Sequence, residues 1–150
     1  MKIIDGNLLD LAEEGMFDVI IHGCNCFCNM GSGIAKQIKE RYPEAFQADL
    51  ATIKGDENKL GSFTFARVKR QTSFVIVNAY TQYAYGRKGC FADYDALARV
   101  FVKIKQSYQG RRIAYPLIGA GLAKGDWSII EPIIDNALKG EDHTLVRYSN

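Results

Sequence analysis

The sequence predicts an α/β fold, a mixed and largely parallel six-stranded sheet covered by helices on both faces. Two observations carry that prediction. Short β-branched runs alternate with longer segments whose apolar residues recur at helical spacing, in the order β-β-α-β-β-α-β-α-β. Two strand-to-helix junctions, around Gly31 and Gly33 and around Gly119 and Gly121, are rich in glycine. Ligands gather at such junctions, beyond the carboxyl ends of parallel strands.

Taken in order, Lys2-Ile3-Ile4 opens a strand that stops at the turn Asp5-Gly6-Asn7. Residues 17–22, with Phe17, Val19, Ile20 and Ile21, form the second strand. A helix follows over 32–42, with Ile34, Ala35, Ile38 and Tyr42 at helical spacing, and resumes after Pro43 over 44–53. Segments 60–68 and 74–80 are strand-like and close enough to make a hairpin-like pair. A glycine-containing loop spans 81–90. The helix predicted over 91–108 sets Tyr94, Leu97, Ala98, Phe101 and Ile104 on one face. A short strand at 112–115 ends at Pro116, a helix covers 127–138, and a strand at 144–148 closes the order. Four turns, at 6–8, 22–33, 80–89 and 117–126, should therefore meet at one end of the sheet.

The 150 residues fit one domain, large enough to bury roughly 68–70% of its unfolded surface. With 47% hydrophobic residues, 24% charged, 14 Gly and 3 Pro, the composition excludes disordered and fibrous classes. Nineteen basic residues against 17 acidic ones leave +2, and the clusters Arg67-Val-Lys-Arg70 and Arg111-Arg112 read as solvated surface. No nucleic-acid partner is predicted from charge. No leader-like segment is visible and no apolar run nears the ~18 residues that span a bilayer, so a cytoplasmic protein without a membrane partner is expected. Cys24, Cys26, Cys28 and Cys90 then read as free thiols. Their spacing is not that of structural zinc and only His22 and His143 could assist, so neither a metal nor a cofactor is expected.

The first glycine-rich stretch begins as the strand Val19-Ile20-Ile21 and ends in the helix that starts near Ile34. A helix start offers unpaired N–H groups and a positive dipole end, and glycines let an anion approach them. The stretch Tyr115-Pro-Leu-Ile-Gly-Ala-Gly-Leu-Ala-Lys-Gly-Asp-Trp127 repeats that logic. One such turn is a weak signal; two in one sheet predict a ligand with two adjacent phosphates. Neither turn is a G-x4-G-K-[ST] loop, and Lys124 stands where a dinucleotide fingerprint has its third glycine. No cysteine begins a C-x5-R thiolate motif, and Asp93-Tyr-Asp95 reads as a solvated helix start. Chemistry here would rest on positioning a water and stabilising charge.

The candidates for that task are His22, Asn25 and Asp126. Each also has a plainer role available. His22 suits a buried strand end, Asn25 a turn, and Asp126 the N-cap of the helix that begins at Trp127.

Asn25 followed by Gly31, Gly33, Ile34 and Ala35 resembles the signature of macro domains, which bind ADP-ribose. The likeness extends to Gly6-Asn7-Leu8, where the family usually has Gly-Asp-[Ile/Leu], and to Ile118-Gly-Ala-Gly-Leu122, its second phosphate loop. It covers essentially the whole chain and implies a three-layer α/β/α macro domain. His22-Gly-Cys-Asn-Cys26 is similar to the branch that includes ADP-ribose 1''-phosphate phosphatases.

The resemblance implies that Asn7 and Leu8 bind the ligand, Asn7 sitting by the adenine and accepting from its 6-amino group through the side-chain oxygen. Asn25 would contact the distal ribose. Backbone amides of Gly31, Ser32, Gly33 and Ile34, and of Gly119, Ala120, Gly121 and Leu122, would hold the diphosphate. A second branch removes ADP-ribose from proteins or nucleic acid with a lysine after the fourth strand, where this chain has Thr81-Gln82, and Lys88 comes several residues later.

The implied function is hydrolysis of ADP-ribose 1''-phosphate to ADP-ribose and phosphate, with His22 as general acid or base, Asn25 orienting ribose and Asp126 positioning water. The alternatives are a mono-ADP-ribosyl hydrolase, for which modified protein or nucleic acid is the substrate, and a non-catalytic ADP-ribose reader.

Overall fold

A computed structural model describes residues 1–86 and 91–149. Its centre is β2 (Val19–Cys24), whose apolar run is buried on both faces because it pairs in parallel with β4 (Ser73–Tyr80) on one side and β5 (Arg112–Tyr115) on the other. The six strands lie in the order β1-β6-β5-β2-β4-β3, with β1 at Lys2–Gly6, β3 at Phe63–Lys69 and β6 at Asp142–Tyr148. All pairings are parallel except β3 with β4, the predicted hairpin, which closes from Lys69 to Ser73.

Side chains alternate across the sheet and divide the core in two. Ile20 and Ile76 pack with Leu9, Ile38 and Tyr42 from α1 (Leu8–Glu13), α2 (Gly33–Arg41) and the start of α3 (Pro43–Leu50). Val19 and Ile21 pack with Leu97, Phe101, Ile130 and Ile134 from α4 (Tyr94–Ser107) and α5 (Trp127–Ala137). The mixed sheet between two helical layers is the architecture the sequence predicts. Among the described residues no helix is long and apolar enough to cross a membrane.

Some boundaries differ from the sequence reading. The chain after Gly6 is not a plain turn: Asn7 caps α1, a helix of six residues that periodicity is too short to reveal. The helix expected over 91–108 begins later, at Tyr94, because the Asp93 side chain accepts from Ala96 N at 2.9 Å and fixes the start there. Cys24, Cys26 and Cys28 are free thiols; Cys90 and Lys88 lie outside the described residues.

Candidate functional site

Because β1, β2, β4, β5 and β6 run the same way, their carboxyl ends share one rim of the sheet. A cleft of about 270 Å³ opens there. Leu8, Ile34, Pro116 and Val146 give it apolar walls, Tyr148 adds an aromatic ring, and Asn7 and Gln37 bring amides. Gly33 lies at its edge.

The start of α2 is open. Ser32 is its N-cap residue, yet the Ser32 side chain makes no capping hydrogen bond, whereas Asn7, Asp93 and Asp126 cap α1, α4 and α5. The N–H groups of Gly33 and Ile34 donate to no acceptor among the described residues, which leaves them to an outside partner. Gly33 has φ +59°, a left-handed conformation that favours glycine.

The second turn is braced from within. Ala120 N donates to Leu117 O at 3.1 Å, Lys124 N to Gly121 O at 3.0 Å and Gly125 N to Gly119 O at 2.6 Å. Gly119 needs its own positive φ of +77° to make this fold. The N–H groups of Gly121 and Leu122 are left without an acceptor among the described residues. The two turns meet at their tips, where a Cβ on Gly33 would stand 3.2 Å from Leu122 Cδ1. The open amides of Gly33 and Ile34 thus line the cleft, and those of Gly121 and Leu122 lie on the turn that meets Gly33.

The polar candidates are placed differently. Asn25 is 7% exposed and organises its own loop: Oδ1 accepts from Phe27 N at 2.9 Å and Nδ2 donates to Asn29 O at 2.9 Å. Asn29 Oδ1 then accepts from Gly31 N at 3.1 Å, carrying the brace to the first glycine. Asn25 retains one amide hydrogen and one lone pair. Asp126 is exposed; its Oδ1 accepts from Ser128 N at 2.9 Å and Ser128 Oγ at 2.6 Å. The other oxygen, Oδ2, takes no hydrogen bond among the described residues.

His22 does not fit the role of a general acid or base, because it does not reach the cleft. It is fully buried, and Nε2 lies 2.7 Å from Asn78 Oδ1 on the neighbouring strand. Asn78 Nδ2 donates to Ala45 O at 3.0 Å and Thr64 Oγ1 at 3.1 Å, so Oδ1 is the atom facing the ring and Nε2 carries the proton. Burial drives the His22 pKa down to about 4, which keeps the ring neutral. The network continues from Thr64 Oγ1 to Tyr80 OH at 3.0 Å and from Tyr80 OH to Asp49 Oδ1 at 2.7 Å. Burial also raises the Asp49 pKa, and Asp49 Oδ2 has no partner among the described residues.

Asn7 also differs from expectation. Its Oδ1 already accepts from Leu9 N and Asp10 N, both at 3.1 Å, so the oxygen expected to meet an adenine amino group is taken by α1.

Residues 21–134 match the family model of the macro domain. The chain belongs to the macro domain family. An uncharacterised 17.5 kDa protein from the tk-vs intergenic region of Enterobacteria phage T4 is 38% identical over 141 residues, 90% of this macro domain and 88% of the phage protein. The ADP-ribose 1''-phosphate phosphatase of Aspergillus oryzae is 46% identical over 46 residues, 31% of this macro domain and 21% of the fungal protein. The DNA ADP-ribosyl glycohydrolase of Mycobacterium tuberculosis is 27% identical over 135 residues, 89% of this macro domain and 37% of the mycobacterial protein. The matched segments therefore cover well under half of either named enzyme.

Solved structures agree on the fold. The macrodomain of Mycobacterium tuberculosis DarG superposes with a TM-score of 0.72 at 24% identity, covering 99% of this chain and 97% of that one. Thermosipho africanus DarTG, solved in complex with ADP-ribose, gives 0.67 at 18% identity, covering 91% of this chain and 39% of that one.

Five cleft residues of this macro domain escaped the sequence reading: Leu9, Gln37, Pro116, Val146 and Tyr148. Gln37 follows Gly33 by four residues on α2 and so shares its face. Tyr148 arrives through its register opposite Gly6 in the β1–β6 pair, which no local signal announces.

Proposed function

We propose that this macro domain binds ADP-ribose derivatives across the rim of the sheet and hydrolyses the terminal phosphate of ADP-ribose 1''-phosphate. The observation that carries the reading is the meeting of two turns with open amides, Gly33 and Ile34 on one side and Gly121 and Leu122 on the other. Unpaired N–H groups at a helix start and in a glycine turn suit the oxygens of a diphosphate. The adjoining cleft suits a nucleoside, with apolar walls and few polar groups.

The phosphatase step is supported by the 46% identical segment shared with the Aspergillus enzyme and by His22-Gly-Cys-Asn-Cys26. In this reading Asn25 orients the distal ribose with its remaining hydrogen-bonding capacity, and Asp126 Oδ2 holds the attacking water. His22 is a positioning residue that ties β2 to β4 beneath the Asn25 loop. Phosphate release from ADP-ribose 1''-phosphate by the purified protein is the test. Binding of ADP-ribose without any release would sink the phosphatase reading and leave the binding reading standing.

One observation favours a second reading. The glycohydrolase likeness runs along 89% of the chain, so removal of ADP-ribose from DNA is the alternative reaction. Gln82 occupies the loop position where the resemblance implies a lysine, and its Nε2 donates to Ala84 O at 2.7 Å, which weighs against a lysine-based route. Loss of label from mono-ADP-ribosylated DNA, with no phosphate release from the phosphorylated sugar, would favour this alternative.

A further inference from the structure

Three of the side chains that line the cleft are polar, those of Asn7, Gln37 and Tyr148. An adenine set among the apolar walls needs an acceptor for its 6-amino group, because a buried N–H without a partner is costly. Asn7 is not that acceptor. Its Oδ1 takes Leu9 N and Asp10 N, each at 3.1 Å, and a carbonyl oxygen has two lone pairs. What Asn7 keeps is Nδ2, a donor suited to either ring nitrogen that flanks the amino group. Tyr148 offers one hydroxyl, which water can equally satisfy because the residue is 69% exposed.

Gln37 is placed to accept. α2 starts at Gly33, which lines the cleft, and Gln37 follows four residues on, one turn along the same face. Its side-chain amide makes no hydrogen bond among the described residues, so Oε1 keeps both lone pairs and Nε2 both protons. A glutamine amide matches an adenine edge, its oxygen on the 6-amino group and its nitrogen on the neighbouring ring nitrogen.

We propose that Gln37 is the residue that recognises the base: Oε1 accepts from the 6-amino group of adenine, Nε2 donates to one flanking ring nitrogen, and Asn7 Nδ2 donates to the other. The inference rests on the cleft taking the adenosine end of ADP-ribose and adds the side chain that selects the amino group. It leaves Asn7 two tasks at once, since Oδ1 starts α1 while Nδ2 faces the ligand.

Calorimetry with ADP-ribose and its 6-deamino analogue tests this, because purine in place of adenine removes only the amino group. The unsubstituted protein should bind ADP-ribose tighter than the analogue by about fivefold. Gln37→Met keeps a long, helix-compatible side chain without a strong acceptor, so the two ligands should then bind alike. Gln37→Glu keeps the acceptor and should restore the preference, while its negative charge weakens both ligands together. A Gln37 that serves structure alone would change both affinities by one factor and leave their ratio as it was. Equal binding by the unsubstituted protein, a preference that persists in Gln37→Met, or one that is missing in Gln37→Glu would each overturn the proposal. ADP-ribose binding retained in those cases leaves the nucleotide reading of the cleft standing. Binding of neither ligand by the unsubstituted protein removes that reading and the role of Gln37 with it.

Discussion

Gly33 and Leu122 touch across the rim of the sheet, the hydrogen side of the glycine lying where a Cβ would be 3.2 Å from Leu122 Cδ1. Residues 89 positions apart in sequence thus hold two open turns side by side. Gly33→Ala would add a methyl at this contact and force a side chain into φ +59°. It should cost about 1–2 kcal/mol in urea unfolding and weaken ADP-ribose binding in the same protein. Unchanged affinity would show that the spacing of the turns does not matter to the ligand.

Gly121 supplies the contrasting case. A Cβ there meets nothing within 4 Å, and the residue is not in the left-handed region. Gly121→Ala should therefore unfold within about 0.5 kcal/mol of the unsubstituted protein, while calorimetry shows weaker ADP-ribose binding if phosphate approaches this backbone. Retained affinity would place the diphosphate elsewhere.

His22 predicts an acid-sensitive fold. Its folded pKa of about 4 lies below the ordinary 6.5, so the unfolded chain takes up the proton first. The stabilisation is present in full above pH 6.5 and is lost as pH falls toward 4, by about 3 kcal/mol in total. His143, also held below its ordinary value by burial, acts in the same direction. Urea unfolding between pH 7 and pH 5 should show a steep fall that flattens in His22→Gln. Parallel curves for the two proteins would refute this origin.

Asn25→Ala removes the acceptor for Phe27 N and the donor to Asn29 O together. The loop should lose about 1–2 kcal/mol of stability, read by denaturant unfolding, and ADP-ribose affinity should drop by about tenfold. A stable variant with full affinity would mean the brace is dispensable.

Asp126 can be dissected by one conservative change. Asn caps a helix about as well as Asp, so Asp126→Asn should leave the melting temperature nearly unchanged. If Oδ2 holds water for hydrolysis, phosphate release should fall by about a hundredfold. Undiminished release would confine Asp126 to its capping role.

Much of this fold could be read from local pattern. The run Val19-Ile20-Ile21 marks a strand covered on both faces, and the spacing of Leu97, Phe101 and Ile104 marks the helix that covers one of them. The glycine turns were legible because backbone demands act locally. The helix α1 was not, although Asn7 ahead of Leu8 and Leu9 is a cap signal, because six residues carry too little periodicity. The burial of His22 was also hidden. It depends on Asn78, 56 residues away, and on the two helical layers that enclose the sheet. The orientation of the Asn7 amide is a three-dimensional fact as well, decided by two N–H groups that converge on its side chain only once α1 forms.

The pairing of β1 with β6 has a consequence for synthesis. β1 lies at the edge of the sheet, and β6 is its neighbour, with Lys2 opposite Thr144 and Gly6 opposite Tyr148. As the chain is made, the strand that emerges first must wait for the strand that emerges last. Tyr148, on that last strand, and Asn7, just beyond the first, both line the cleft. The cleft is therefore the final part of the rim to be assembled, and a ribosome-bound chain short of β6 should carry both glycine turns yet lack the wall that Val146 and Tyr148 give the cleft.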